Sequence, residues 1–193
     1  MTSDLSPFSK LSARRDDTEP VDREIVHREL DQARETFLAL LAAAGDAELR
    51  RRSTGTKWTN KQLLFHMLLG FLIIRALSTL VRAFGRLPDS FSRAYARLLN
   101  KATRPFDAVN YLGSRLGGNT LTTRRMGIMF DHVVTKLHRR LDAESDTDLA
   151  RGMHYPTRWD PFFHDYMTLA DVYRFPNLHF EFHRQQLTLS DPG

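Results

Sequence analysis

The chain has 193 residues, of which 41% are hydrophobic and 26% charged, values that are usual for one soluble globular domain. It contains no cysteine, which excludes disulfides, thiolate metal sites and a cysteine nucleophile, so any thiol chemistry requires a thiol from outside the chain. The formal net charge of +5 favours acidic partners but says nothing about the fold.

Neither a signal peptide nor a membrane span is expected. The N-terminus lacks the basic start, the apolar stretch and the small-residue cleavage site of a secretory signal. The most apolar run, residues 63–77, is about 15 residues long, whereas roughly 20 are needed to cross a bilayer, and it contains His66 and Arg75. We therefore expect a core helix and a cytoplasmic protein.

The chain divides into an N-terminal arm and one domain. Residues 1–20 are polar with little apolar periodicity, which predicts a mobile arm, and the domain is expected over residues 21–189. Asp22 is a candidate cap for helix one, which follows the helical period to about residue 44 and ends before Gly45.

Helix two begins at a recognisable cap and carries a histidine on an apolar face. Thr59 is followed three residues later by Gln62, the pattern of a capping box. The helical pattern continues to about residue 84, and His66 lies two turns inside it among leucine, phenylalanine and methionine.

Residues 89–118 have the pattern of an insertion between helices two and three. A short helical pattern covers residues 89–99, and the segment 103–106, which contains a proline, interrupts it. The glycines that follow, within residues 110–118, predict irregular structure covering one end of a pocket.

The second half of the domain supplies helices three and four. Thr122 or Thr123 is the candidate cap of helix three, and residues 153–165 predict a partly buried crossover loop. Thr168, with Asp171 three residues later, starts helix four. No alternating strand pattern is present, so the predicted fold class is all-α, a four-helix bundle with a short helical and irregular insertion.

Pro176 falls inside the pattern of helix four. Proline lacks a backbone N–H and clashes with the carbonyl four residues earlier in a regular helix. The sequence therefore predicts that helix four either kinks at Pro176 or begins afresh there.

Three histidines predict a divalent metal site in the bundle core. His179 and His183 are four residues apart and so share a helix face, while His66 comes from helix two. Neutral imidazole suits zinc, nickel, copper and iron, and catalytic zinc commonly has three protein ligands. The alternative is that all three are ordinary histidines. Asp165 or Asp171 is a candidate to orient an imidazole, although capping explains Asp171 better.

These motifs resemble those of the DinB/YfiT-like superfamily. The matching residues are Trp58-Thr59 at the start of helix two, Leu64-x-His66 within it, and His179-x-x-x-His183-x-x-Gln186 on the last helix. The resemblance extends from about residue 22 to 189. It implies a DinB-like four-helix bundle with divalent metal, zinc or nickel, on His66, His179 and His183.

The resemblance also implies a reaction. Characterised relatives include enzymes that depend on mycothiol or bacillithiol, among them the mycothiol-dependent maleylpyruvate isomerase. We therefore expect metal-dependent S-transfer or isomerisation, with a low-molecular-weight thiol and an electrophile as partners. The pattern assigns no catalytic side chain, and it leaves a homodimer open.

Two rival functions follow from the same sequence. The first is a non-catalytic stress-response protein that binds a metal or small molecule. The second is a membrane-surface protein that uses the apolar helix two and the basic charge. Nucleic-acid binding is not expected, because the arginine clusters at residues 50–52, 124–125 and 139–140 are scattered and lack interleaved aromatic residues.

Overall fold

The computed structural model describes residues 22–189, and most of this part of the chain is α-helical. The predicted arm, residues 1–20, lies outside the described residues. The helices are α1 (Arg23–Ala43), α2 (Asp46–Arg50), α3 (Asn60–Leu72), α4 (Ile74–Phe84), α5 (Asp89–Lys101), α6 (Thr103–Thr120), α7 (Thr123–Ala143), α8 (Asp146–Ala150) and α9 (Leu169–Arg184). Two short strands, β1 (Gly152–His154) and β2 (Tyr166–Thr168), pair antiparallel.

Helices α1, α3, α7 and α9 pack together as the bundle, which confirms the predicted all-α fold class. Each contributes one fully buried phenylalanine to the centre: Phe37, Phe71, Phe130 and Phe180. Their rings contact one another with centroids 4.2–6.3 Å apart, in stacked, tilted and edge-to-face arrangements. Aromatic burial of this kind supplies a large part of the hydrophobic stabilisation of a small core.

The predicted helix starts are present. Asp22 accepts a hydrogen bond from the Ile25 amide, and Thr122 accepts one from Arg125. Capping boxes begin α3 and α9, because Thr59 with Gln62 and Thr168 with Asp171 exchange the expected hydrogen bonds. Local side-chain hydrogen bonds therefore define where the bundle helices begin.

The insertion differs from its prediction. The segment predicted to be irregular forms the continuous helix α6, which packs along α3. A Cβ on Gly117 would lie 2.2 Å from the Phe65 ring, and one on Gly118 would lie 2.6 Å from the Cα of Gln62. These glycines are thus required by the close approach of two helices and do not mark a turn.

The region around helix four also differs in detail from its prediction. No strand was expected, yet β1 and β2 form a two-stranded ladder just before α9. Helix α9 runs through Pro176 without restarting, so of the two alternatives a fresh start at the proline is excluded. Pro176 is buried, and its ring packs inside the protein in the middle of the helix.

The apolar helical stretch is longer than the sequence run suggested. Counted through a distortion at Ile73, Asn60–Phe84 has 25 residues, with a mean hydropathy of 2.0 in its most apolar window. By length and composition alone it suffices to cross a membrane, and half of that window is buried inside the protein. Fully buried Leu63 and Met67 join the bundle core. A cytoplasmic location stays a prediction.

Candidate metal centre

The structure brings the three predicted histidines together. His66 projects from α3, and His179 and His183 project from α9, with one ligand nitrogen from each lying within 4.8 Å of the others. Their ring centroids are 4.5–4.8 Å apart. Two nitrogens bound to one tetrahedral zinc lie about 3.3 Å apart, so the three rings would have to move closer together to hold one ion.

Each imidazole is oriented at Nδ1 by another side chain. The contacts are His66 with Ser114 Oγ at 3.1 Å, His179 with Asp160 Oδ2 at 2.9 Å, and His183 with Gln186 Oε1 at 2.7 Å. Carboxylate and amide oxygens accept, so His179 and His183 donate from Nδ1 and carry an unprotonated Nε2. The geometry leaves Nε2 of His179 and Nε2 of His183 as nitrogens that could bind a metal ion.

Two features around His179 fit a bound cation. Its Nε2 is buried and has no hydrogen-bond partner in the described part of the chain, an arrangement that is costly unless something else binds there. Gly70 on α3 lies against the ring, and a Cβ at this position would be 3.0 Å from His179 Cδ2. Because residue 70 is a glycine, there is room for the imidazole beside α3.

The electrostatics keep two of the histidines neutral. Burial lowers the pKa of His66 well below its usual range, and the neighbouring His179 and His183 lower it further. Burial also lowers the pKa of His183 to about 4, with His179 as the second cause. Because imidazole binds metal in its neutral form, these shifts favour coordination at neutral pH.

A pocket of about 630 Å³ opens onto His183, which is only partly buried. Helix α6 forms one wall with Asp107, Ala108, Asn110 and Tyr111, and the loop Gly55–Trp58 with Gln186 forms the opposite side. The Trp58 ring stacks on His66 with centroids 4.5 Å apart and lies near Tyr111 at 6.2 Å. The insertion thus lines the approach to the histidines, as predicted for one end of a pocket.

The orienting residues were not the ones suggested by the sequence. Asp171 only caps α9, and Asp165 lies beside His154, 3.3 Å from its Nδ1. The carboxylate on the metal-site side is that of Asp160, in the crossover loop. Ser114 was missed as well, because its segment was interpreted as irregular. No spacing rule connects either residue to the histidine that it contacts.

A comparison with known protein families identifies the family of this chain. The family model described as the DinB superfamily matches residues 29–187. The chain belongs to the DinB superfamily. In this DinB-superfamily protein the matched region begins inside α1 and includes all three histidines and the whole insertion. No curated protein and no solved structure matched the chain.

Proposed function

We propose that this DinB-superfamily protein is a metal-dependent enzyme that activates a low-molecular-weight thiol for S-transfer or isomerisation. His66, His179 and His183 would hold a divalent ion, zinc or nickel, through Nε2. This function rests on the superfamily membership and on the converging imidazoles.

The observation that carries the proposal is the pocket at His183. A purely structural metal site is sealed by four protein ligands, whereas a catalytic site keeps a position open. Here three imidazoles converge, and a pocket of about 630 Å³ reaches one of them. That volume lies within the range of small-molecule sites. The pocket supports access of a small molecule to the histidines, and the turnover experiment below separates an enzyme from a binding protein.

Each part of the site has a distinct task. Ser114, Asp160 and Gln186 fix the imidazole orientations from Nδ1. A divalent metal held there would bind the thiol sulfur and favour its deprotonated form near neutral pH. During transfer the sulfur forms a bond to an electrophilic carbon, the displaced group leaves with its electron pair, and the thiol proton passes to solvent. The chain has no cysteine, so the thiol is a cosubstrate.

The pocket walls suit a polar cosubstrate with an extended body. Lys57 and Asp107 offer opposite charges, Asn110 offers an amide, and Trp58 and Tyr111 offer aromatic surface. A thiol with several hydroxyl or amide groups would find hydrogen-bond partners along this wall. Mycothiol is the first candidate on the superfamily resemblance.

Cobalt substitution tests thiol binding directly. Adding a thiol from a panel that includes mycothiol to the cobalt-loaded protein is expected to produce a sulfur-to-cobalt charge-transfer band. The band is expected to be absent in His179→Ala and retained in His132→Ala, because His132 lies exposed on α7. If no thiol perturbs the spectrum while a small acid or anion does, the thiol-transfer function is wrong.

Turnover separates the enzyme from the non-catalytic alternative. A panel of electrophiles incubated with zinc- or nickel-loaded protein and the bound thiol is expected to yield a thioether or an isomerised product. The variant Tyr111→Ala alters the pocket wall and leaves the three histidines in place. It should therefore lower the rate of thiol-dependent product formation more than it lowers metal binding. Thiol binding without any product would instead favour a binding protein.

A further inference from the structure

A second group of histidines joins α1 to α7, in a pattern that repeats on both helices. His27 and Asp31 are four residues apart on α1, and His138 and Asp142 are four apart on α7. His27 Nε2 lies 3.0 Å from Asp142 Oδ1, and His138 Nε2 lies 3.0 Å from Asp31 Oδ1. Each histidine is thus bound by the carboxylate of the other helix.

The two imidazoles also face each other. Their Nδ1 atoms are 2.6 Å apart, the ring planes differ by 8°, and the centroids are 4.9 Å apart. The two Nδ1 atoms are much closer to each other than the ring centroids are. Both nitrogens therefore lie between the rings, which are nearly coplanar. This is the geometry of an in-plane N–H···N hydrogen bond, since two unprotonated nitrogens at this distance would repel each other.

Counting protons defines the state of the pair. Each Nε2 must carry a proton to donate to its carboxylate, and one further proton must lie between the Nδ1 atoms. The two rings therefore hold three protons, one more than two neutral imidazoles. Only with this extra proton is every hydrogen bond present in the row of side chains Asp142, His27, His138 and Asp31.

We propose that His27 and His138 form a binding site for one shared proton, which clamps α1 to α7 and makes this contact sensitive to pH. The spacing selects a proton over a metal ion. Two nitrogens bound to one tetrahedral zinc would lie about 3.3 Å apart. The observed 2.6 Å is too short for an ion between them.

Four ion pairs involve other charged groups on the elements packed around the pair. On the packed elements these pairs are Arg23 with Asp146 of α8, Arg28 with Glu24, Arg34 with Asp131 of α7, and Arg174 of α9 with Glu29. Arg139, the residue after His138, lines a separate groove on α7. The carboxylates of Asp31 and Asp142 therefore remain the groups that face the shared positive charge.

The shared proton predicts a maximum of stability with pH. Beyond the two protons of the neutral rings, two independent histidines in the unfolded chain together bind two further protons at low pH and none at high pH, around an ordinary pKa of about 6.5. In the proposed state the folded pair holds one such further proton. On acidification the unfolded state takes up more protons, and at alkaline pH it holds fewer, so the contribution is lost in both directions. The factor by which the pair favours the folded state in the folding equilibrium is therefore about eightfold smaller at about pH 5 and at about pH 8 than at about pH 6.5.

A double-mutant cycle tests this shape. His27→Gln, His138→Gln and the double variant are unfolded by urea from about pH 5 to about pH 8, and the coupling between the positions is expressed as a ratio of unfolding constants. The coupling is expected to peak near about pH 6.5 and fall about eightfold on either side. A cycle that pairs His27 with the exposed His132 of α7 should show no peak. Coupling that is independent of pH, or changes in one direction only, overturns the proposal.

Nitrogen NMR of the wild-type protein gives a second readout that needs no variant to fold. A shared proton predicts that the Nδ1 signals of His27 and His138 are intermediate between protonated and unprotonated nitrogen, with both Nε2 atoms protonated. Assigned signals showing two neutral Nε2–H histidines without a shared proton would overturn the proposal. So would coupling that grows with added zinc and disappears on chelation, because a metal would then be the ligand.

Discussion

Replacing Asp160 with asparagine should disturb the metal centre through the tautomer of His179. Asp160 Oδ2 accepts from His179 Nδ1 at 2.9 Å, with both side chains largely buried. Its Oδ1 also accepts from the Phe162 amide at 2.9 Å. Asparagine can keep the Phe162 contact only by turning its NH₂ group towards His179. That donor requires an unprotonated Nδ1, so the imidazole proton moves to Nε2, the nitrogen that should bind metal.

The loss of metal affinity in Asp160→Asn should be large because the carboxylate charge is removed and the His179 tautomer changes at the same time. Removal of an orienting partner typically lowers metal affinity 10- to 100-fold, and the tautomer argument places Asp160→Asn near the upper limit, about 2.7 kcal/mol. Metal affinity would be measured by competition with a chromogenic chelator. Melting of the metal-free proteins would show that the fold is retained.

Asp165→Asn is the matched control. Asp165 lies in the same loop beside a different histidine, His154, and its side chain is 80% exposed. It should leave metal affinity within about twofold of wild type. If Asp160→Asn and Asp165→Asn bind metal equally well, the proposed orientation of His179 by Asp160 is wrong.

Three further predictions concern the same site. Chelation should lower the melting temperature by roughly 5–10 °C, since metal at a hundredfold excess over Kd stabilises by about 2.7 kcal/mol; an unchanged calorimetric melt after verified metal removal would contradict a core site. Metal-free protein should lose stability below about pH 6.5, because the depressed pKa values of His66 and His183 mean that the unfolded chain takes up protons which the folded state excludes; His183 alone would contribute about 3 kcal/mol by about pH 4, and denaturant titrations in which His183→Gln keeps the full acid sensitivity would refute this. Gly70→Ala should weaken metal binding by displacing the His179 ring, and the cost of that displacement should offset the gain of about 1 kcal/mol in helix propensity, so loss of affinity with little change in metal-free stability is expected from isothermal titration and melting; unchanged affinity would mean that the ring is free to move.

Sequence periodicity was sufficient to predict the bundle helices, and together with the family resemblance it predicted that His66, His179 and His183 lie together. The cap residues Asp22, Thr59 and Thr168 act within three residues along the chain, and that range is visible in a sequence. His179 and His183 share a face because of helix geometry alone. Periodicity also placed His66 on the apolar face of α3, so its direction towards the core followed once a bundle was assumed.

Glycine misled the interpretation of the insertion. In isolation Gly113, Gly117 and Gly118 weaken a helix, and the sequence contains nothing that offsets this locally. The compensation is tertiary, since Gly117 and Gly118 allow α6 to approach Phe65 and Gln62 on α3. A glycine needed for a turn and a glycine needed for contact between helices have the same local signature. Only knowledge of the neighbouring helix distinguishes the two.

The orienting residues show where prediction from one sequence stops. A carboxylate that must reach His179 Nδ1 has no required separation along the chain, because the loop that carries it is irregular. Asp160, Asp165 and Asp171 are all within twenty residues of His179, and composition ranks none above the others. What separates them is the course of the chain: Asp171 is occupied by the cap of α9, Asp165 emerges into solvent, and the turn after Trp159 directs Asp160 inward. The histidines that should bind the ion therefore follow from helix geometry, whereas the tautomers that let them do so depend on tertiary contacts.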